Sequence, residues 1–483
     1  MKKLLLSAVL IISAITYAQT LYVDNVKGSD RNDGSKEKPL ASIWRALELV
    51  KKSGCIEVIN TGKPYQTPYY GHTGRQMNVK VGGTAEKPLE IRGNGSVISG
   101  LSVIPENKWS KTQEKNIVSL PFWPMSNQFK SAKENFWPDT SAKIWWVNGK
   151  AAPNCKDLET LKKTPGGFWW NKAQRKVMFH LPENKKLADL KIELPANSGF
   201  YILAPHVIIR DFYCIFSWND GFDTAGVGYD GIYRNCIAVN NCGQGFSCHA
   251  VGSTLYEDCA AVRCNSSGSC DIDQTYSRYM RCIFLDNTYE AGIHTRHYSQ
   301  HYYGDCIIAG NIPFEQLWVF DASSQNFYNC LIEGTAGWDV ARFKQNSGTI
   351  TFRNCTIRGG KRVFNLKKQG SAYISFQNCI LGGTEVDVFY AEPGTGNRIK
   401  LKENAYWGKP VVFSGVSYSG QKFGEYKKNN KADNFSVWLE KEPTGVCRVN
   451  GRLTGAYLPG SVLKRYEMLK KIYATPSGIH FKK

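Results

Sequence analysis

A repeating pattern of apolar and polar positions runs through the middle of the chain. In each of the last seven units an aromatic residue lies three positions before a cysteine, and a short apolar stretch typical of a β-strand follows it, as in Cys306-Ile-Ile. Asn or Asp stands directly before the cysteine in six of these seven units, and Arg281 is the exception. Successive cysteines are 22 to 25 residues apart. The cysteines that mark the repeat are Cys214, Cys236, Cys259, Cys282, Cys306, Cys330, Cys355 and Cys379.

This spacing predicts an all-β solenoid. A unit of about 23 residues with two or three short strands cannot close a core of its own, so it must stack on copies of itself. A helical repeat would need longer units with apolar residues recurring about every 3.6 positions, and that period is absent. We therefore predict a right-handed parallel β-helix. Its main coils span residues 196–400, number about seven to nine, and carry the cysteine column on their inner face.

Two further columns follow from the same repeat. Asn241, Asn287 and Asn311 each lie five residues past a cysteine, with Asn265 one step later, which predicts stacked amides inside the turns. Cys242 with Cys264, and Cys248 with Cys270, are each one coil apart. Neighbouring coils bring Cα atoms to about 4.8 Å, within disulfide range, but parallel Cβ directions are unfavourable for the bond. We expect free, buried thiols.

The flanking sequence predicts four further segments. Residues 1–18 have a basic start, an apolar stretch and a small-residue cleavage site, so they resemble a secretory signal peptide. Residues 19–100 are expected to form an N-terminal cap and the first coils, with a helix from about residue 41 to 52. Residues 101–195 are rich in Trp and turns and predict a β-rich insertion. Residues 401–483 lose the repeat and are expected to form a C-terminal extension or cap.

A basic helix is expected near Val462 to Tyr473 of that extension, either along the solenoid or across its end. After the first segment no run of about 18 apolar residues follows, so no membrane span is predicted. The expected location of the mature chain is therefore secreted or periplasmic, and we expect a monomer.

Composition and charge narrow the functions that fit. Of the 483 residues 42% are hydrophobic, which excludes a disordered tail protein. Lys and Arg number 61 against 41 Asp and Glu, for a net charge of +20. Outside the cell such a basic protein meets acidic polysaccharides far more than nucleic acids, so an acidic polysaccharide or oligosaccharide is the expected partner.

Three sequence features together resemble secreted pectin-lyase-like β-helix proteins, and polysaccharide lyase family nine is the nearest suggestion. They are the opening motif around Tyr22 to Gly34, the segment Gly83 to Ile91, and the coils. The resemblance implies calcium held by an aspartate cluster and a lysine as base. Asn219-Asp220-Gly-Phe-Asp223 resembles that cluster with one Asp replaced by Asn, so Asp220 and Asp223 are the candidate calcium ligands. No residue matches the lysine.

Strand alternation along one sheet predicts an outward face rich in ionisable groups. The alignment places Phe246, Cys248, Cys270, Ile272, Ile293 and Thr295 inward. One outward column then holds Asp223, Ser247, Ser269, His294 and Trp318. A second holds His249, Asp271, Arg296, Phe320 and Arg342, with Asp273 beginning a third and with Tyr276, His297 and Lys344 beside them.

The first functional hypothesis is β-elimination on a uronate. A guanidinium, Arg296 or Arg342, suits the carboxylate because it binds bidentately. A histidine, His294 or His249, suits the base that removes the C5 proton, and Tyr276 suits the acid. Loss of the next sugar would make the enzyme a lyase, and loss of a hydroxyl would make it a dehydratase. The expected substrate-binding residues are Arg342, Trp318, His297 and Lys344.

Two alternatives remain open at the level of sequence. Glycoside hydrolysis needs two carboxylates, and Asp271 with Asp273 would lie about 6–7 Å apart on one strand face, between the retaining and inverting separations. A non-catalytic glycan-binding protein would use Trp318 and the Trp-rich insertion as sugar platforms.

Overall fold

The computed structural model describes residues 19–66, 75–121, 145–171, 173–288, 290–312, 314–343, 347–368, 370–395, 398–429, 433, 435–449 and 451–473. The expected signal segment 1–18 and Lys344 lie outside these ranges. No helix of the described ranges is long and apolar enough to span a membrane.

The chain forms a parallel β-solenoid of about nine turns, which confirms the predicted fold class. Each main coil contributes one strand to a short sheet and two strands to a long sheet. The eight strands of the short sheet are β1 (Arg75–Val79), β2 (Asn197–Ile202), β3 (Phe222–Thr224), β4 (Phe246–Cys248), β5 (Ser269–Asp271), β6 (Ile293–Thr295), β7 (Leu317–Val319) and β8 (Ala341–Phe343).

The long sheet has 22 strands. Three come from the N-terminal cap: Thr20–Val23, Cys55–Val58 and Tyr65–Gln66. The first row of the coils is Leu89–Ser99, Val207–Ile215, Gly231–Arg234, Ser253–Glu257, Tyr276–Met280, Gln300–Gly304, Ser324–Tyr328, Thr349–Arg353, Tyr373–Gln377 and Ile399–Lys402. The second row is Ile237–Val239, Ala260–Val262, Ile283–Leu285, Ile307–Ala309, Leu331–Gly334, Thr356–Gly359, Ile380–Gly382, Ala405–Trp407 and Val437–Leu439.

Like residues stack on one another inside the solenoid. The aromatic residues of the repeat form a continuous pile, with ring centroids 4.4 Å apart between Tyr256 and Tyr279 and 4.9 Å between Tyr279 and Tyr303. The cysteine column is buried beside it, and the Cys282 backbone N–H donates to the Cys306 Sγ at 3.4 Å. All fifteen cysteines are free thiols, as the parallel geometry predicts.

The corner between the two rows of the long sheet explains the Asn or Asp before most cysteines of the repeat. These residues adopt left-handed backbone conformations, with φ of 52° at Asp258 and 55° at Asn329. Asn and Asp tolerate that region better than other side-chain-bearing residues, so they recur there. Arg281 also has a positive φ of 57°, and its guanidinium binds both carboxylate oxygens of Asp258 at 2.8 and 2.9 Å.

Helices cover parts of the solenoid outside the repeat. Helix α1 is Ile43–Leu49, shorter than predicted, because the Ser42 side chain caps its first turn and Val50 is already extended. The short helices α2 (Leu158–Lys162) and α3 (Phe423–Asn429) lie in the insertion and the C-terminal region. Helix α4 (Gly460–Ile472) lies along the solenoid, where Val462, Tyr466 and Leu469 pack on the outer side of the second row.

The described part of residues 101–195 forms two antiparallel four-stranded sheets with their own core, which includes Trp109, Trp145, Phe168 and Phe179. One sheet comprises Leu101–Val103, Trp146–Val147, Lys150–Ala151 and Ile192–Pro195, and the other Ser110–Lys111, Ile117–Pro121, Phe168–Asn171 and Lys176–His180. Towards the C-terminus, a four-stranded sheet comprises Asn365–Leu366, Tyr390–Ala391, Val411–Phe413 and Val416–Tyr418, and a hairpin pairs Cys447–Val449 with Arg452–Thr454.

The asparagine column generates a stability prediction. Asn287 accepts from the Cys264 N–H at 2.9 Å and donates to Asn311 Oδ1 at 2.8 Å, and it is fully enclosed. Replacing Asn287 by Ala leaves the buried N–H and carbonyl groups without partners, so we expect a loss of about 2–4 kcal/mol in the free energy of unfolding. Urea denaturation followed by circular dichroism measures it. Asn265→Ala, one position off the column and half-buried, is the control, and equal losses in both variants would contradict the ladder.

Candidate functional site

The register of the short sheet differs from the predicted one at β5. Ser247 pairs with Cys270, and Cys270 pairs with His294, so Cys270 belongs to the outer column. Ser269 and Asp271 therefore point into the solenoid. The outer column is Asp223, Ser247, Cys270, His294, Trp318 and Arg342.

Asp271 is thus a correction: it lies in the interior and not on the expected catalytic face. The Tyr279 hydroxyl donates to its Oδ2 at 2.8 Å, and His301 Nδ1 lies 3.2 Å from the same oxygen. Burial raises the pKa of Asp271 to about 7. Burial, with nearby His294, lowers the pKa of His301 to about 3. In mildly acidic solution Asp271 is therefore protonated and His301 is unprotonated. The pair is an uncharged polar network buried in the solenoid.

His294 is on the outer column as predicted, but it is covered. Its exposed fraction is 1%, because the Trp318 and Phe320 rings meet it edge-on at centroid distances of 5.3 and 4.8 Å. Its Nδ1 lies 3.3 Å from Glu290 Oε2. Burial acts to raise the pKa of Glu290, but His294 and two serine hydroxyls outweigh it and hold that pKa below its usual value. The expected direct access of His294 to a substrate is therefore absent.

The arginines of the outer face lie against aromatic rings. The Arg296 guanidinium lies 6.0 Å from the Phe320 ring centroid, and that of Arg342 lies 5.7 Å from the Trp318 ring. Trp318 donates from Nε1 to Glu315 at 2.7 Å and is only 8% exposed, so it does not present the open platform expected of it. Tyr276 belongs to the long sheet, apart from the short-sheet strand of His294.

Asp220, Asp223 and His249 converge at the outer face beside β3 and β4. One ligand atom of each lies within 4.8 Å of the others, and His249 Nε2 is 3.6 Å from Asp223 Oδ1. Asp220 accepts from the Gln244 N–H and from the Ser247 hydroxyl, both at 2.8 Å. Asp223 Oδ1 is buried and has no hydrogen-bond partner among the residues described.

Burial dominates the electrostatics of this group. Burial and the neighbouring Asp223 raise the pKa of Asp220 to about 7, and burial raises that of Asp223 to about 8. A Cβ at Gly243 would lie 2.4 Å from Asn219 Oδ1 and 2.6 Å from Asp220 Oδ1, so only glycine leaves these oxygens open. The residues present fit a divalent cation, since buried oxygens are the ligands that Ca²⁺ prefers.

A second cluster follows at the turns after β5, β6 and β7. His297 Nδ1 lies 2.6 Å from Asp273 Oδ1, and its Nε2 lies 3.5 Å from Asp321 Oδ2. All three residues have left-handed backbones, with φ of 69°, 51° and 54° along the chain. Asp273 also acts electrostatically on His249, which links this cluster to the Asp220 group, although burial dominates and lowers the pKa of His249.

The structure thus brings together Asp220, Asp223, His249, Asp273 and His297 of the expected residues, and separates Asp271 and His294 from them. Asp321 was not expected. Its position in the repeat could have predicted it. Asp273, His297 and Asp321 each stand two residues past the last residue of the short-sheet strand in successive coils.

Comparison with known proteins supports the fold. No protein-family model and no curated protein matches the sequence. The pectate lyase Pel9A matches with a TM-score of 0.50 and 13% identity over 81% of this chain and 80% of that chain. A rhamnogalacturonan lyase matches with a TM-score of 0.41 and 12% identity over 93% of this chain and 98% of that chain. A glycoside hydrolase matches with a TM-score of 0.39 and 10% identity over 82% of this chain and 95% of that chain. At this identity the likeness to Pel9A is one of architecture.

The buried Asp271 generates a pH prediction. Its pKa is about 7 in the folded protein, against 3.8 for an ordinary aspartate. The proton that Asp271 retains therefore stabilises the fold in acid, and this contribution is lost as the pH rises towards 7. Asp271→Asn removes the penalty, so the variant should gain about 2–4 kcal/mol relative to wild type between pH 4 and pH 8. Urea unfolding at several pH values measures the difference. The exposed Asp189→Asn is the control, and a gap between Asp271→Asn and wild type that does not change with pH would contradict the assignment.

Proposed function

We propose that the protein is an exported enzyme that degrades a uronate-containing, acidic polysaccharide or its oligosaccharides by β-elimination. The observation that carries the proposal is the pair of buried carboxylates, Asp220 and Asp223, that meets His249 on the outer face of a parallel β-solenoid. The net charge of +20 favours an anionic substrate. An acidic sugar also explains why a guanidinium, Arg296, stands on the neighbouring turn.

Asp220, Asp223 and His249 would hold a divalent cation such as Ca²⁺. The buried side-chain amide oxygen of Asn219 faces Gly243 together with Asp220 Oδ1 and could add a further oxygen ligand. When bound, the cation would supply positive charge that neutralises the uronate carboxylate and so acidifies the C5 proton. His249 is here a ligand, and this replaces its expected role as base.

His297 is the base that the geometry favours. Asp273 accepts a hydrogen bond from its Nδ1, which places the proton there and leaves the lone pair on Nε2. Asp321 Oδ2, 3.5 Å from Nε2, would stabilise the imidazolium once the proton has been transferred. The imidazole is 44% exposed, in contrast to that of His294. Nε2 takes the C5 proton, the C–H electrons form the C4–C5 double bond, and the C4–O bond breaks. The departing oxygen takes a proton from solvent.

Arg296 precedes His297 in the chain and would hold the substrate carboxylate through its forked donors. Its aromatic neighbour Phe320 limits the positions of the guanidinium. Arg342, two coils further, would extend binding along the chain of sugars. Whether the departing group is a sugar or a hydroxyl separates a lyase from a dehydratase, and the same residues serve both.

The two alternative functions lose their main support in this geometry. Hydrolysis by Asp271 and Asp273 needs both carboxylates on one face, but Asp271 is buried inside and Asp273 is exposed in a turn. Pure glycan binding through Trp318 needs an open ring, and that ring is covered.

The reaction is tested by the ultraviolet absorbance of unsaturated uronate when polygalacturonate, alginate and hyaluronan, or their oligosaccharides, are supplied. His297→Ala should lower the rate by about 10²–10⁴-fold because it removes the general base. Arg296→Lys should also lower it, because an ammonium lacks the forked donors. His180→Gln, an imidazole of the insertion bonded to the Leu161 carbonyl, is the control. New reducing ends without ultraviolet absorbance would contradict elimination.

Cation binding is tested separately from turnover. Calcium should raise the midpoint of thermal unfolding after EDTA treatment, by about 2.7 kcal/mol of added stability at a hundredfold excess over Kd. Asp223→Asn should abolish this shift, since it removes the charge of the orphaned oxygen, whereas Asp273→Asn should retain it. A wild-type midpoint that is the same in EDTA and in calcium would contradict the site.

A further inference from the structure

A groove opens on the outer face of the long sheet, away from the short-sheet residues of the candidate site. It crosses the strands Gly231–Arg234, Ser253–Glu257 and Tyr276–Met280 and has a volume of about 280 Å³. Ile232 and Leu255 contribute apolar surface to it. Polar groups complete its lining: Asp230, Ser253, Tyr276 and Arg278.

Arg278 differs from three arginines on or beside this sheet that pair with carboxylates. Arg234, Arg281 and Arg358 each pair with a carboxylate at 2.5–2.8 Å. Arg278 is exposed and makes no ion pair with any residue of the described ranges. Its neighbours on the adjacent strands are Leu255 and Tyr302, which carry no negative charge. The groove therefore holds a guanidinium whose charge is not compensated by its strand neighbours.

Tyr276 offers an aromatic surface next to that charge. It is 50% exposed and stands between Ser253 and Gln300 on the adjacent strands. Such an aromatic ring suits stacking on the apolar face of a pyranose, while Ser253 and Asp230 offer hydrogen-bonding groups for hydroxyls. A volume of about 280 Å³ is at the small end of ligand pockets, which favours a small ligand segment over a long stretch of polymer.

We propose that this groove is a second glycan-binding site, which takes one uronate unit with its carboxylate on Arg278 and its ring against Tyr276. The choice of uronate as the ligand rests on the proposed function. The turn of residues 249–252 joins the two faces, since His249 of the candidate cation site precedes Ser253 of the groove by four residues. A polymer bound in the groove is therefore held beside the edge of the catalytic face.

The test is affinity gel electrophoresis of the full chain in EDTA, with polygalacturonate, alginate or hyaluronan in the gel and a neutral galactan as comparison. We expect a uronate polymer to retard the wild type, and Arg278→Ala to weaken its apparent affinity about threefold to tenfold. Arg353→Ala is the matched control, because it removes the same charge from an exposed position of the same sheet row three coils away. Tyr276→Ala should weaken binding, and Tyr276→Phe should retain it because the ring remains.

Three results would contradict the proposed binding site. They are no retardation by any uronate polymer, an equal loss of apparent affinity in Arg278→Ala and Arg353→Ala, and retardation by neutral galactan that depends equally on Arg278. The proposed reaction has a different readout. Retardation that depends on Arg278, without any unsaturated product, would contradict the reaction and support the groove. Formation of unsaturated product, together with retardation that is unchanged in Arg278→Ala, would contradict only the proposed binding site in the groove.

Discussion

Coil-on-coil stacking of like side chains is the constraint on which the rest of the structure depends. Aromatic rings, thiols and amides each repeat at the height of one coil, so a slip of register in any strand would displace every column together. This fixes the outer face as firmly as the interior. Asp223 and His249 meet because their coils are adjacent, and Asp273, His297 and Asp321 align because three turns repeat one backbone shape.

The sequence was sufficient for the fold because the constraint is periodic. The cysteine spacing predicted the coils and the inner column, and the Asn or Asp before most of the cysteines predicted the corners. The site was less readable, because its residues lie where the periodicity weakens. At β5 the inward positions are Ser269 and Asp271, which are polar. A prediction that assigns polar residues to the outer face therefore places this strand one residue out of register. The burial of His294 depends on Phe320 and Trp318 of the next coil, which no local pattern reports.

The site also shows how one scaffold gives similar side chains different chemistry. His301 is neutral inside the core, His294 is bonded to Glu290 under aromatic rings, and His297 is open to solvent on a carboxylate. All three lie within eight residues of one another. The direction of each side chain relative to the sheet, and not its position in the chain, separates a structural imidazole from one that can exchange protons with a substrate.

The column of free thiols has a consequence for the chemical stability of the protein. While the coils are closed, burial raises the pKa of the Cys306 thiol and suppresses the reactive thiolate. Opening of a coil exposes Cys282 and Cys306 together, and these thiols are neighbours in an otherwise intact stack. In an oxidising medium they can then cross-link in a geometry that the closed coil does not accept. A cross-link of that kind would make a reversible local opening permanent, so in such a medium the rate of coil opening bears on the lifetime of the fold as much as its equilibrium stability does.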